Sequence, residues 1–143
     1  MDNYMKLELA ALSENESFAR SAVAAFALPL SPTFSELSDI KTAVSEAVTN
    51  CIVHAYKGEG GKIVIECRIE KALHGGILHI DVTDYGCGIE DVAQAVTPFY
   101  TTLEDDERSG MGFTVMQTFS TFFKVESELG KGTRVSLQKA VGM

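Results

Sequence analysis

Three polar clusters in the chain have residue types and spacings that suit the binding of a nucleotide. In the first, Glu46 and Asn50 are four residues apart inside an apolar, helix-periodic segment, so their side chains are neighbours on one helix face. His54 extends the row by another turn. An ordinary solvated face is the alternative, but Asn and His suit fixed hydrogen bonds or ligation. An amide oxygen is an appropriate ligand for Mg²⁺, so Asn50 is a candidate metal ligand.

The second cluster spans residues 84–89 and follows a segment with the alternating pattern of a strand. It places the carboxylate of Asp84 beside Gly86 and Gly88, where the backbone can approach a ligand closely. A carboxylate can accept a hydrogen bond from the amino group of adenine. Asp and Gly are also common in turns, so the motif gains its meaning from the other clusters.

The third cluster is a Gly-rich loop, residues 108–112, that leads into a predicted helix. Free backbone N–H groups at such a helix start, together with the helix dipole, favour phosphate binding. Arg108 precedes the glycines, and its forked donors suit a terminal phosphate. A helix-entry loop without a ligand is the alternative.

The elements that must position these clusters form a simple order along the chain. The patterns predict a strand over 6–12, a helix from Asn15 that stops before Pro29, and a helix capped by Thr33 or Ser35 that runs to Ala55. A hairpin over 63–69 and 77–82 follows, then a polar lid over about 97–112, a helix over 111–122 and two final strands around 125 and 135–137. This order predicts an α+β fold, a two-layer α/β sandwich with helices on one face of a mainly antiparallel sheet.

Composition narrows the functional classes. The 143 residues, 45% of them hydrophobic, suit one domain over 1–143 with its own core. A net charge of −8 disfavours direct binding of nucleic acid. The three cysteines form no CxxC pair, and no apolar run approaches the ~20 residues of a spanning helix. We therefore expect a cytoplasmic protein without a membrane partner.

The order of the clusters resembles that of a known ATPase superfamily. Its N, G1, G2 and G3 boxes, known from gyrase, Hsp90, sensor histidine kinases and MutL, are matched by Glu46-xxx-Asn50, Asp84-x-Gly86-x-Gly88, Gly110-x-Gly112 and Gly130-x-Gly132-Thr133. The stretches 15–20, 45–50, 98–102 and 107–113 narrow the likeness. Over nearly its whole length, the chain resembles the anti-sigma F factors of endospore-forming bacteria.

This resemblance implies a Bergerat-type ATPase fold, a homodimer, and ATP with Mg²⁺ as cofactors. It also implies a serine/threonine protein kinase with two protein partners. One is sigma factor F, which the family sequesters, and the other is an anti-anti-sigma factor, which it phosphorylates on serine.

The resemblance also assigns roles by matched position. Glu46 would be the general base, Asn50 the Mg²⁺ ligand, and Arg108 a lid arginine near the γ-phosphate. Arg20 would contact a partner. Asp84 would bind adenine, supported by Thr133. The other candidate nucleotide-binding residues are His54, Gly86, Gly88, Ile89, Thr102, Ser109, Gly110, Met111 and Gly112.

Two alternative functions share the same motifs. One is a nucleotide-gated sigma-binding module with little phosphoryl transfer, for which Arg20 is the motivating residue. The other is a general-stress anti-sigma kinase of the same fold. Local motifs do not distinguish it from a kinase that sequesters sigma factor F.

Overall fold

Five segments rich in strand-forming residues pair into one antiparallel sheet in the computed structural model, which describes residues 2–95 and 112–143. The strands lie in the spatial order β1-β2-β3-β5-β4, and every neighbouring pair is antiparallel. Their bounds are β1 Tyr4–Ala10, β2 Lys62–Lys71, β3 Gly76–Asp84, β4 Phe122–Glu128 and β5 Gly132–Val141. The predicted sheet and its β2–β3 hairpin are confirmed.

The helices of the described residues are α1 Glu14–Phe26, α2 Phe34–Asn50, α3 Val92–Ala95 and α4 Gly112–Thr118. α1 ends before Pro29, as predicted, and a 3₁₀ turn over Leu28–Leu30 follows it. α1 packs on α2, and α2 packs on α4. None of the helices in residues 2–95 and 112–143 combines the length and the apolar character needed to cross a bilayer.

The start of α2 is fixed by a capping box. Glu36 donates its N–H to the Thr33 hydroxyl at 3.1 Å, and the Glu36 carboxylate accepts the Thr33 N–H at 2.9 Å. Thr33, of the two predicted candidates, is therefore the cap. The hydrogen bond from the Thr33 backbone lowers the pKa of Glu36.

The core lies between α2 and the inward face of the sheet. Because strand side chains alternate between faces, Ile63, Ile65 and Ile69 of β2 share that face and are fully buried. In α2 the residues at helical spacing, Ile40, Val44, Ala47 and Val48, are buried as well. This packing fixes how the opposite, polar side of α2 is oriented.

The bounds of several predicted elements differ in the structure, and three of these differences have a local physical cause. β1 begins at Tyr4 and ends at Ala10, because the Ala11 N–H turns to the carbonyl of Gly61. The helix predicted over 111–122 ends at Thr118, and the strand-favouring segment from Phe122 belongs to β4.

The third difference lies at the end of α2, where regular α-helix stops at Asn50. Residues Cys51–Ala55 form a π-helical turn. The Tyr56 N–H donates to the Cys51 carbonyl at 3.0 Å. The wider π spacing moves His54 around the helix axis from the position that α-helical spacing predicts.

Candidate nucleotide-binding site

Asp84 is the last residue of β3 and has only 5% of its surface exposed. The Gly86 N–H donates to its Oδ1 at 3.0 Å. The thiol of Cys51 and the backbone N–H of Thr133 also stabilise the ionised carboxylate. Burial raises the pKa of Asp84, and these three groups oppose that rise by stabilising the anion. The site therefore contains a buried, acceptor-only group held in a fixed orientation.

Two glycines after Asp84 allow main chain to pack where no side chain would fit. A Cβ on Gly86 would lie 2.4 Å from the carbonyl oxygen of Ala55. A Cβ on Gly88 would lie 2.1 Å from the carbonyl oxygen of Glu128, and Gly88 has a φ of +74°. The 84–89 loop is thus wedged between the end of α2 and the β4–β5 hairpin.

Backbone hydrogen bonds fasten this loop on both sides. The Cys87 N–H donates to the Ala55 carbonyl at 3.1 Å, on the helix side. The Gly130 N–H donates to the Cys87 carbonyl at 2.7 Å, on the hairpin side. The π-helical turn is what brings the Ala55 carbonyl to the loop, so the irregular helix end is part of the site.

Tyr56, which follows the π turn, joins the same region to the sheet. Its hydroxyl donates to the carbonyl of Lys62 at 2.5 Å and accepts the N–H of Tyr85 at 2.8 Å. Burial raises the pKa of this phenol, so it remains a donor at neutral pH. Tyr56 was not among the residues predicted from the sequence, because a Tyr after a helix carries no motif.

Ser127 on β4 contacts two predicted site residues. Its Oγ accepts the Ile89 N–H at 2.8 Å and lies 2.8 Å from the hydroxyl oxygen of Thr133, which is buried. It also donates to the Gly132 carbonyl at 2.9 Å. Sequence reasoning missed Ser127, although counting outward from the Gly130 reversal would have paired it with Thr133.

The polar side of α2 carries Glu46 and Asn50, both half-buried and one turn apart. The amide of Asn50 faces the start of α4, because a Cβ on Gly112 would lie 2.9 Å from its Oδ1. Only a glycine leaves this oxygen room beside the entry to α4. The residues present therefore fit a small cation or a phosphate oxygen held next to Asn50.

Arg20 lies on α1 and is tied to α2 through a carboxylate. Its guanidinium donates to Glu16 at 2.7 Å. The hydroxyl of Ser45, the residue before Glu46, donates to the same carboxylate. The sequence selected Arg20 but not its two partners.

The structure thus brings together Asp84, Gly86, Gly88, Ile89 and Thr133 at the loop, and Asn50 and Gly112 beside it. His54 lies in the π turn and is half-buried. Five predicted site residues fall outside the described residues, as does the predicted lid except for Gly112. They are Thr102, Arg108, Ser109, Gly110 and Met111.

Comparison with known proteins shows the family of this chain. A family model described as histidine kinase-like ATPase domain matches residues 9–139. The anti-sigma F factor of Thermoanaerobacter sp. (strain X514) is 53% identical over 140 residues, which cover 98% of this chain and 95% of that protein. The anti-sigma F factor of Caldanaerobacter subterraneus subsp. tengcongensis is 55% identical over 141 residues, covering 99% and 96%.

The chain belongs to the anti-sigma F factor family. This confirms the resemblance drawn from the motifs, and the matched model makes the protein a member of the histidine kinase-like ATPases. As an anti-sigma F family member it is an ATP-using kinase of the anti-sigma class.

Solved structures show the same fold. The RsbU and RsbW domains of Rv1364c from Mycobacterium tuberculosis align with a TM-score of 0.66 at 19% identity, over 97% of this chain and 32% of that one. The mycobacterial sensor histidine kinase MprB aligns with a TM-score of 0.57 at 13% identity, over 97% and 98%. The two-layer sandwich of this anti-sigma F family member is therefore the fold expected from its sequence.

Proposed function

We propose that the protein binds Mg-ATP and transfers its γ-phosphoryl group to a serine of an anti-anti-sigma factor, and that it sequesters sigma factor F. The observation that carries the proposal is the position of Glu46 one turn from Asn50, on the helix whose π-helical extension is hydrogen-bonded to the loop after Asp84. The names of the relatives support the sigma partner.

The base and the phosphates of the nucleotide each have a matching group in the site. The carboxylate of Asp84, oriented by the Gly86 N–H, would accept the adenine amino hydrogen. Asn50 and Gly112 would lie nearer the phosphates. Mg²⁺, held through the Asn50 oxygen, would neutralise phosphate charge during transfer.

Glu46 would then act on the incoming substrate. The serine oxygen forms a bond to the γ-phosphorus as the bond to the β-phosphate bridging oxygen breaks, and ADP leaves with that electron pair. The serine proton passes to the Glu46 carboxylate. Phosphoryl transfer depends mainly on positioning and charge neutralisation, which a rigid core helix provides.

The remaining elements of the proposal concern assembly. Arg20, held by Glu16, would contribute to sigma binding. A homodimer is proposed on the family resemblance. The identity of 53% or more to anti-sigma F factors favours sigma factor F over a general-stress sigma factor.

A transfer assay with labelled ATP, Mg²⁺ and the cognate anti-anti-sigma factor tests the role of Glu46. In Glu46→Gln the label on serine should fall at least about a hundredfold, because a general base contributes that much, while ATP affinity stays unchanged. Glu59→Gln, in an exposed loop, is the matched control and should transfer normally.

Near-normal transfer by Glu46→Gln would remove Glu46 as the base. If the wild-type protein binds ATP and captures the sigma factor but labels no serine, the nucleotide-gated binding module becomes the better description.

A further inference from the structure

The hydroxyl groups of Ser127 and Thr133 meet at the predicted base-binding end of the site. Ser127 makes three close contacts: to the Ile89 N–H at 2.8 Å, to the Gly132 carbonyl at 2.9 Å and to the Thr133 hydroxyl at 2.8 Å. Both serine and threonine hydroxyls carry one hydrogen each. The number of hydrogens therefore decides the direction of each bond.

Two of the three directions are fixed by chemistry. A backbone N–H only donates, so Ser127 Oγ accepts from Ile89; a carbonyl only accepts, so Ser127 donates its single hydrogen to Gly132. The hydrogen in the third contact must then come from Thr133. This is the one arrangement that makes all three hydrogen bonds at once.

The consequence is that Thr133 has no hydrogen left for a ligand. Thr133 pairs with Asp84 across β3 and β5, and both side chains lie on the inward face of the sheet. Neighbours in this position have Cβ atoms about 5 Å apart. The carboxylate and the threonine oxygen together therefore form a surface that accepts hydrogen bonds and does not donate them.

We infer that Ser127 determines base selectivity, by holding the Thr133 hydroxyl so that the base pocket accepts an exocyclic amino group and disfavours a keto oxygen. This inference rests on the proposed nucleotide-binding function and deepens it. Ser127 is a positioning residue, because it acts through Thr133 and not on the base itself. An amino group can donate to both acceptor oxygens there. A keto oxygen can donate to neither, and its partial negative charge is repelled by theirs.

The test measures the dissociation constants of ATP and of inosine triphosphate, which carries an oxygen in place of the 6-amino group. In Ser127→Ala the Thr133 hydrogen is released and can donate to the keto oxygen, so the preference for ATP should narrow by about three- to tenfold. Selectivity remains in part, because Asp84 is unchanged. Ser127→Thr keeps a hydroxyl and should keep the wild-type ratio.

Two further variants separate selectivity from folding. Ser136→Ala, on β5 opposite Asp81 and on the outer face, should leave the ratio unchanged. Thr133→Val removes the second acceptor while keeping the Ser127 side chain and its bonds to Ile89 and Gly132, and it should also narrow the ratio. This variant keeps the test decisive if Ser127→Ala folds poorly.

The ratio is the readout that a merely structural role would not move. Equal weakening of both nucleotides in Ser127→Ala, with the ratio preserved, would overturn the inference and leave the proposed function standing. A wild-type protein that binds neither nucleotide would overturn both.

Discussion

At the scale of single residues, Arg20 is a position where partner binding and the free energy of unfolding can be changed independently. Its side chain is 39% exposed and pairs with Glu16 in the spacing of a helix-surface ion pair. Pairs of this kind contribute at most about 1 kcal/mol to the free energy of unfolding. An arginine at an interface, by contrast, is a common hot spot because its fork binds carboxylates and carbonyls well.

We therefore expect Arg20→Ala to weaken capture of the sigma factor by about tenfold or more, while ATP affinity and unfolding free energy change little. Capture is measured by titration at saturating ATP. Arg134→Ala is the matched control, since Arg134 is also paired, at 2.8 Å with Asp81 on the outer sheet face. Unchanged capture by Arg20→Ala would exclude Arg20 from the interface.

Site residues that lie in a recognisable motif were predictable from the sequence, whereas most of the residues that hold them in position were not. Asp84, Gly86 and Gly88 follow a strand in a recognisable motif, and the structure places them together. The π turn over Cys51–Ala55 brings the Ala55 carbonyl to the loop, and π turns leave no sequence pattern of their own. Tyr56 contacts backbone atoms of Lys62 and Tyr85, which spacing along the chain does not reveal. Ser127, by contrast, could have been paired with Thr133 by counting outward from Gly130.

At the scale of elements, α2 carries the chemistry at one end and its cap at the other. The Thr33 capping box satisfies N–H groups at the first turn, some four turns from Asn50 at the end of α2. The apolar periodicity predicted the length of α2 except for the π turn at its end. The prediction succeeded over the regular helix because the periodic apolar residues are the ones that pack against the core. The end of α4 was mispredicted, since Phe122 and Phe123, the first residues of β4, suit a strand as well as a helix.

Removal of the cap should affect stability without affecting the site. Thr33→Ala should lower the free energy of unfolding by about 1 kcal/mol, measured by urea denaturation, and leave ATP affinity unchanged. Ser35→Ala, one residue inside the helix and exposed, is the control and should have a much smaller effect. A loss of ATP affinity in Thr33→Ala would show that the two ends of α2 are coupled.

At the scale of the whole molecule, the buried thiols make the free energy of unfolding depend on pH. Burial raises the pKa of Cys67 to about 12, and burial also raises that of Cys51 well above its ordinary value. In the unfolded chain a thiol ionises near pH ~8.5. Because the folded state keeps the proton longer, this stabilisation is complete below that pH and is lost as the pH rises toward the folded pKa.

Unfolding free energy should therefore fall above about pH 9, by up to about 1.4 kcal/mol per pH unit for each buried thiol. Urea denaturation between pH 7 and 10.5 measures it. The Cys67→Ala variant, though less stable, should show a shallower decline than the wild type. Parallel declines in the two proteins would mean that other groups dominate the alkaline loss.

The fastening of the 84–89 loop has a kinetic and an entropic consequence. The amides of Cys87, Ile89 and Gly130 are already hydrogen-bonded to protein before any ligand arrives. The loop therefore loses little conformational entropy when a nucleotide binds, because the base-recognition end of the site is preorganised. Hydrogen exchange at these three amides should be slow in the ligand-free protein and change little when nucleotide is added.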